Sequence, residues 1–142
     1  MAELTPGAQF GPSSWLEIPQ EKIDAFAEAT GDHQWIHVDP ERAADGPFGT
    51  TVAHGYLTLS LLPLLMSDAM QLTGYRMGIN YGVNKVRFPA PVPSGSRVRA
   101  TFTVQSVEDV PGGEQGVVKA VVEREGGEKP VCVAELVARM LR

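Results

Sequence analysis

Two side chains suited to acid–base chemistry, Asp32 and His37, lie five positions apart in a segment broken by glycine and proline. A carboxylate and a neutral imidazole that meet at one water molecule can activate it. One takes a proton, and the other orients the water or returns a proton to carbon. His54-Gly55 follows at the predicted start of an apolar helix, where the amide of Gly55 has no intrahelical acceptor and could polarise a carbonyl towards an enolate. This combination predicts addition of water to an activated carbonyl compound, or its removal.

Each of these features also has a purely structural interpretation. Aspartate and histidine in a loop commonly act as caps or face solvent, and Gly55 could simply allow a helix to pack closely against a sheet. Ser60 lies one turn further along, but no Gly-x-Ser-x-Gly motif surrounds it, so a serine nucleophile is not expected. We expect its hydroxyl to bond to the carbonyl one turn back or to a site residue.

Metal binding is the main chemical alternative for this region. The side chains of metal-binding type are Asp32, His33, His37, Asp39 and His54. His33 and His37 have the spacing of a zinc-binding helix, but the glutamate of His-Glu-x-x-His is missing and a helix is not predicted there. We therefore expect no metal site.

Composition favours one soluble globular domain over residues 1–142, with 43% hydrophobic and 20% charged residues. The net charge of −5 argues against a nucleic-acid-binding module, which usually carries a basic stripe. The single cysteine, Cys132, excludes an intrachain disulfide and is expected to be a small buried residue. The longest apolar run, residues 57–66, is too short to span a membrane, and residues 1–10 do not resemble a signal peptide. A cytoplasmic location without membrane association is expected.

The first half of the chain predicts helices. Ile23, Phe26, Ala27 and Thr30 have helical spacing, and Gly31 is a plausible stop. Residues 32–51 are predicted to form a long ordered loop, with one helical turn at 40–44 capped by Asp39. Residues 54–72 are predicted to form a second helix, apolar on nearly every side and therefore buried, with a kink at Pro63. Two shorter helices are the alternative there.

The second half predicts strands. A weak strand signal at residues 9–18 is broken by Pro12, and stronger strands are expected at 79–88, 97–107, 117–125 and 131–140. Val98, Ala100, Phe102 and Val104 alternate with polar residues and should face the core. The short turns predict a meander of antiparallel neighbours. The expected class is α+β, with the sheet wrapped around the apolar helix.

The chain resembles the MaoC-like dehydratases, or R-specific enoyl-CoA hydratases (hydratase 2), over roughly residues 10–141. The matching motifs are Phe26-Ala27-x-x-Thr30-Gly31-Asp32-x-x-x-x-His37-x-Asp39-Pro40, Phe48-Gly49-x-x-Val52-Ala53-His54-Gly55-x-Leu57-x-x-Ser60 and Tyr81-Gly82-x-Asn84-x-x-Arg87-Phe88-x-x-Pro91-Val92-x-x-Gly95. The branch that contains nodulation protein N and small actinobacterial hydratases is the most similar in appearance.

The resemblance implies a hot-dog fold, a curved antiparallel sheet around one long helix, and a homodimer with its sites near the interface. It implies reversible syn addition of water to a trans-2-enoyl-CoA, giving the (3R)-3-hydroxyacyl-CoA, a hydro-lyase reaction of fatty acid metabolism. Asp32 and His37 would form the catalytic dyad, and the N–H of Gly55 would hold the thioester oxygen. No cofactor is implied beyond the CoA carried by the substrate. The candidate pocket residues are Trp35, Ser60, Tyr81, Gly82 and Asn84.

Two departures from the family pattern bear on the acyl pocket. Gln34-Trp35 stands where such hydratases commonly carry Asn-Pro, and Pro63 stands roughly where some relatives carry a serine. Two other functions remain open on the same fold. A thioesterase would attack the carbonyl carbon, and a non-catalytic module would only bind acyl-CoA or an acyl carrier.

Overall fold

The strands form one antiparallel sheet in the computed structural model, which describes residues 3–142. Met1 and Ala2, the first residues of the predicted domain, lie outside the described residues. The strands in this range are β1 (Gln9–Phe10), β2 (Leu16–Ile18), β3 (Met77–Arg87), β4 (Ser96–Val110), β5 (Gly113–Arg124) and β6 (Cys132–Leu141). Their order is β1-β4-β5-β6-β3, and β2 also pairs with β4.

The alternation in β4 places its apolar side chains in the core, as predicted. Val98, Ala100, Phe102 and Val104 are all buried, whereas the intervening residues are partly exposed. The predicted meander holds for β4, β5 and β6, which are joined by tight turns. It is wrong for β3, which is followed by residues 88–95 and pairs with β6 at the far side of the sheet.

The helices of the described chain are α1 (Gln20–Thr30), α2 (Trp35–Val38), α3 (Pro40–Ala44), α4 (Gly55–Ser60) and α5 (Leu62–Ala69). Helix α1 ends as predicted at Gly31, whose φ of 83° is left-handed and whose N–H donates to the carbonyl of Ala27. The predicted turn α3 is also present, with the Asp39 carboxylate accepting the N–H of Arg42. Helix α2 is a correction, because a plain loop was expected there.

The apolar helix is divided into α4 and α5 at Leu61, so the alternative of two shorter helices applies. Pro63 has no N–H to donate and its ring would collide with the carbonyl of Leu59 in a regular helix. The N–H of Leu61 is shared between the carbonyls of Leu57 and Thr58, which tightens the chain just before the proline. Helix α5 ends at Ala69, three residues earlier than predicted.

The sheet curves around α4 and α5, which confirms the predicted α+β class and hot-dog fold. Helix α5 packs against β4, and α4 contacts β6. Leu57, Leu62 and Leu65 enter the core, whereas Tyr56 and Leu64 are 70% and 55% exposed. The helix is therefore not buried on every side in the single chain. No helix within residues 3–142 is long and apolar enough to cross a membrane.

Candidate active site

Asp32 lies on a short reversal of the chain between α1 and α2. The left-handed Gly31 turns the chain after α1, and the Thr30 hydroxyl accepts the N–H of Asp32 at 3.4 Å. Oδ1 of Asp32 accepts the N–H of Gln34 at 3.3 Å, an arrangement that starts the turn of α2. Asp32 is exposed, so its carboxylate remains accessible to water and to a ligand.

His37 is buried on α2, and its ring orientation is fixed by the main chain. Its Nδ1 lies 2.7 Å from the carbonyl oxygen of Val52. Because a carbonyl oxygen can only accept, Nδ1 carries the proton and Nε2 of the neutral ring presents a lone pair. The N–H of Val52 in turn donates to the carbonyl of Ile36, so two bonds join α2 to the segment before α4.

Gln20 is a supporting residue that the sequence analysis did not identify. Its Nε2 donates to the carbonyl oxygen of His37 at 2.8 Å and to Asp24 at 2.9 Å. Its Oε1 accepts the hydroxyl of Thr51 at 2.6 Å. The side chain thus ties α1 to both segments that carry His37 and its carbonyl partner. Nothing in the spacing of the sequence signals this link.

The structure brings Asp32, His37 and a third residue, His54, together. One carboxylate oxygen of Asp32 and one nitrogen from each imidazole all lie within 4.8 Å of one another. The first two are the residues that the sequence analysis paired. The third directly precedes Gly55 in the chain, which places the cluster at the start of α4.

The sequence analysis placed His54 before Gly55 at the start of the apolar helix and considered it as a metal ligand, but gave it no role in the acid–base chemistry and did not anticipate its contacts. The ring is 2% exposed and stacks on His37 with 3.8 Å between centroids and 23° between planes. Its Nε2 lies 3.0 Å from the carbonyl oxygen of Asp32, so Nε2 carries the proton. Its Nδ1 is buried and has no hydrogen-bond partner in the described part of the chain. In the sequence, the position of His54 directly before Gly55 was the one indication that it lies at the candidate site.

The same three side chains form the candidate metal cluster found within residues 3–142. Imidazole nitrogens coordinate a metal through lone pairs that lie in the plane of the ring. Since the two rings are stacked at 3.8 Å with nearly parallel planes, their lone pairs do not converge on one point. The nitrogens that bond to the carbonyls of Val52 and Asp32 are protonated and cannot coordinate. The geometry suits acid–base chemistry better than metal binding.

Gly55 begins α4 and lies against the ring of Phe88. A Cβ atom added to Gly55 would stand 2.9 Å from Cδ2 of Phe88, closer than carbon atoms pack. The glycine is therefore needed for packing, as the structural interpretation held. Its N–H lies in the first turn, where no intrahelical acceptor exists, so the chemical interpretation also remains available.

A cavity of about 840 Å³ opens between the apolar helices and the strands β3 and β6. Ser60 and Gly82 line it, together with apolar side chains such as Met66 and Leu136. The hydroxyl of Ser60 donates to the carbonyl of Tyr56 at 2.6 Å, the bond one turn back that was predicted.

The other three pocket candidates lie outside this cavity. Trp35 packs under the guanidinium of Arg42, 4.4 Å from its ring, and against Gly46. Tyr81 is exposed on β3 under the guanidinium of Arg139, at 3.8 Å. Asn84 is exposed on the same strand.

A hot-dog domain that gathers a carboxylate and an imidazole at the start of its central helix holds the groups needed to add water to an activated carbonyl compound, or to remove it. Residues 2–129 match the family model described as the MaoC like domain, and the chain belongs to that family.

Comparison with known proteins agrees with this assignment. The chain is 59% identical over 134 residues to "3-hydroxyacyl-thioester dehydratase Z" of Mycobacterium tuberculosis, covering 94% of this chain and 89% of the relative. It is 50% identical over 104 residues to "Nodulation protein N" of Rhizobium leguminosarum, covering 72% of this chain and 65% of the relative. The fold matches that of the (R)-hydratase from A. caviae with a TM-score of 0.76 at 24% identity, covering 95% and 96% of the two chains.

Proposed function

We propose that this protein is an R-specific enoyl-CoA hydratase, which adds water reversibly to a trans-2-enoyl-CoA to give the (3R)-3-hydroxyacyl-CoA. The observation that carries the proposal is the convergence of Asp32 and His37 within 4.8 Å, at the start of the helix that Gly55 begins. The similarity to the mycobacterial dehydratase supports the reaction class, and the fold of the A. caviae (R)-hydratase is compatible with it.

The tautomer of His37 assigns the roles of the two side chains. Because Nδ1 donates to Val52, Nε2 is free to accept a proton from the water. The oxygen of that water bonds to C3 of the substrate while the Asp32 carboxylate accepts its second hydrogen and orients it. A lone pair of the water oxygen forms the C3–O bond, and the C2–C3 π pair moves onto the thioester as an enolate. The imidazolium of His37 then returns its proton to C2 on the same face, where the former π pair forms the new C–H bond. Only water and the thioester react, so no further cofactor is needed.

Negative charge that develops on the thioester oxygen during this step needs a donor. The N–H of Gly55 is the proposed one, because it stands one residue after His54 and has no acceptor within α4. The missing side chain lets a substrate approach the backbone closely.

The acyl chain is proposed to occupy the 840 Å³ cavity. Ser60, at the end of the helix that starts at Gly55, is part of the cavity wall. Ser60 lies five residues after Gly55, a helical rise of about 7.5 Å, so the cavity wall begins within one short acyl segment of the proposed carbonyl position. The apolar lining by Met66, Leu136 and their neighbours suits a hydrocarbon chain. Trp35, Tyr81 and Asn84 lie outside this cavity and are proposed to contribute to binding of the CoA portion.

A homodimer is proposed as the working form. In the described chain β3 hydrogen-bonds to β6 alone, which leaves its other edge open. Met77 and Tyr81 are exposed on that strand outside the proposed acyl cavity, and soluble proteins usually cover such an apolar strand edge. Light scattering at micromolar concentration should give twice the mass of 15.3 kDa, and a monomer would contradict the proposal. A cytoplasmic location stays a prediction.

The proposed reaction is tested by hydration of crotonyl-CoA, followed as loss of the enoyl-thioester absorbance, with chiral analysis of the product. Asp32→Asn keeps the oxygen that accepts the N–H of Gln34, and His37→Asn places an amide nitrogen near the position of Nδ1. Each should lower kcat by about 10²- to 10⁴-fold while the protein stays folded. Full activity in either folded variant would refute the dyad.

Two further measurements, a thiol assay with saturated acyl-CoA and a binding assay, separate the alternatives. A thioesterase would release free CoA thiol from saturated acyl-CoA, and a binding module would bind acyl-CoA without turnover of any chain length. An (S)-product would refute the proposed stereochemistry even with full turnover.

A further inference from the structure

His54 makes two contacts that the proposed chemistry does not use, one to each member of the dyad. Its Nε2–H donates to the backbone carbonyl of Asp32 at 3.0 Å, and its ring stacks on His37 at 3.8 Å. We propose that His54 is a positioning residue that holds the Asp32 carboxylate over the His37 imidazole. This inference rests on the proposed hydratase function.

Of the side-chain hydrogen bonds that involve Asp32, the one from His54 is the shortest, at 3.0 Å. The two other side-chain bonds there measure 3.4 Å, to Thr30, and 3.3 Å, within the turn to Gln34. Both connect residues that are two positions apart, so neither fixes the reversal relative to the rest of the site. The bond from His54 crosses 22 residues and joins the exposed Asp32 to the buried start of α4.

The ring of His54 is itself held firmly, which lets it act as a reference point. Phe26 lies on it with a centroid distance of 4.8 Å and a tilt of 54°. His37 lies on it nearly parallel, and His37 is fixed in turn by its bond to Val52. His54 therefore provides a fixed point from which its Nε2–H can hold the backbone of Asp32.

The unpartnered Nδ1 shows why packing alone does not account for a histidine at this position. A buried nitrogen without a hydrogen bond costs free energy, and a phenyl ring of similar shape would avoid that cost. What a phenyl ring lacks is the Nε2–H that reaches Asp32. The donor, rather than the ring, is the feature that only His54 supplies.

Two variants separate the donor from the ring. His54→Phe keeps the stack and removes the donor, and it should lower kcat by about 10- to 100-fold with KM nearly unchanged, because the dyad loses its alignment. The thermal midpoint should stay the same or rise. His54→Gln loses the stack but carries an amide nitrogen that reaches about as far as Nε2, so it should recover much of the lost kcat. Full kcat in His54→Phe, or no recovery in a folded His54→Gln, would overturn the proposal.

A measurement on the unaltered protein tests the hydrogen bond from His54 to Asp32 even if a variant does not fold. Nitrogen-15 NMR of the imidazoles should show the Nε2–H tautomer for His54 and the Nδ1–H tautomer for His37. A Nδ1–H tautomer at His54 would exclude the bond to Asp32 and overturn the inference. Absence of hydratase turnover in the unaltered protein would refute the proposed function instead, so the two failures are distinguishable.

Discussion

Replacing Gly55 by alanine tests whether this residue serves packing, chemistry or both. The added Cβ would lie 2.9, 3.0 and 3.1 Å from three carbons of the Phe88 ring, whereas carbon atoms pack at about 3.5–4.0 Å. The ring must therefore retreat by about 0.5–1 Å. Phe88 is 40% exposed, so it has room to move outward but loses contact with Gly55 and Tyr56 as it does so.

The expected magnitude follows from two opposing effects. Overpacking of this kind costs about 1–3 kcal/mol. Alanine regains up to about 1 kcal/mol over glycine in a helix, and less at the first position, where Gly55 stands. The free energy of unfolding should thus fall by about 1–2 kcal/mol, which lowers the thermal midpoint by about 3–7 °C for a chain of this length. Midpoints must be compared at equal protein concentration, because a dimer makes them concentration-dependent.

The double variant Gly55→Ala/Phe88→Ala separates stability from activity. Without the ring, the added methyl group meets open space, so Gly55→Ala should cost almost nothing in the Phe88→Ala background. If the Gly55 amide holds the thioester oxygen, the methyl group still obstructs the substrate. The double variant should then be about as stable as Phe88→Ala but have a kcat/KM at least about tenfold lower.

Two results would refute this reasoning. An undiminished loss of stability in the Phe88→Ala background would show that the ring contact is not the cause. Equal kcat/KM for the double variant and Phe88→Ala would show that Gly55 serves packing alone, and the proposed thioester contact would have to be abandoned.

Three further outcomes are expected. Leu62→Ala, in the fully buried core, should lower the free energy of unfolding by about 2–5 kcal/mol, and an unchanged urea midpoint would contradict its placement. Burial raises the pKa of the Cys132 thiol to about 11, so a thiol reagent at neutral pH should label it quickly only after unfolding, and rapid labelling of the native protein would contradict this. Met66→Trp should fill part of the cavity and lower kcat/KM for long acyl chains about tenfold relative to crotonyl-CoA, and an unchanged ratio would exclude the cavity as the acyl site.

Features set by local chemistry could be predicted from the sequence. Helix α1 and its end at Gly31 follow from apolar spacing and from the freedom of glycine at positive φ. The turn α3 follows from the cap at Asp39, and β4 follows from strict alternation. In each case the residues that decide the structure lie within a few positions of one another.

Features set by distant contacts could not be predicted. The helical turn α2 is flanked by breakers, but the N–H of Val52 and the side chain of Gln20 hold its carbonyls from 16 and 17 residues away. Strand β3 pairs with β6, which is distant in the sequence, so no tight turn between neighbouring strands signals this pairing. The role of His54 depends on a bond across 22 residues. The pairing of Asp32 with His37 was inferred from residue types and from the family pattern. The structure added the distance between them and the orientation of the His37 ring.

Asp32 contributes to the proposed site through two different groups. Its carboxylate serves the chemistry, and its backbone carbonyl accepts the N–H of His54. Asp32→Asn should therefore lower kcat by about 10²- to 10⁴-fold without releasing the loop, whereas His54→Phe should release the loop and leave the carboxylate intact. If His54 acts only by placing that carboxylate, then adding His54→Phe to Asp32→Asn should cost little further activity, since residues that act as a unit are not additive. Multiplied losses in the double variant would mean that His54 acts on the reaction independently of Asp32.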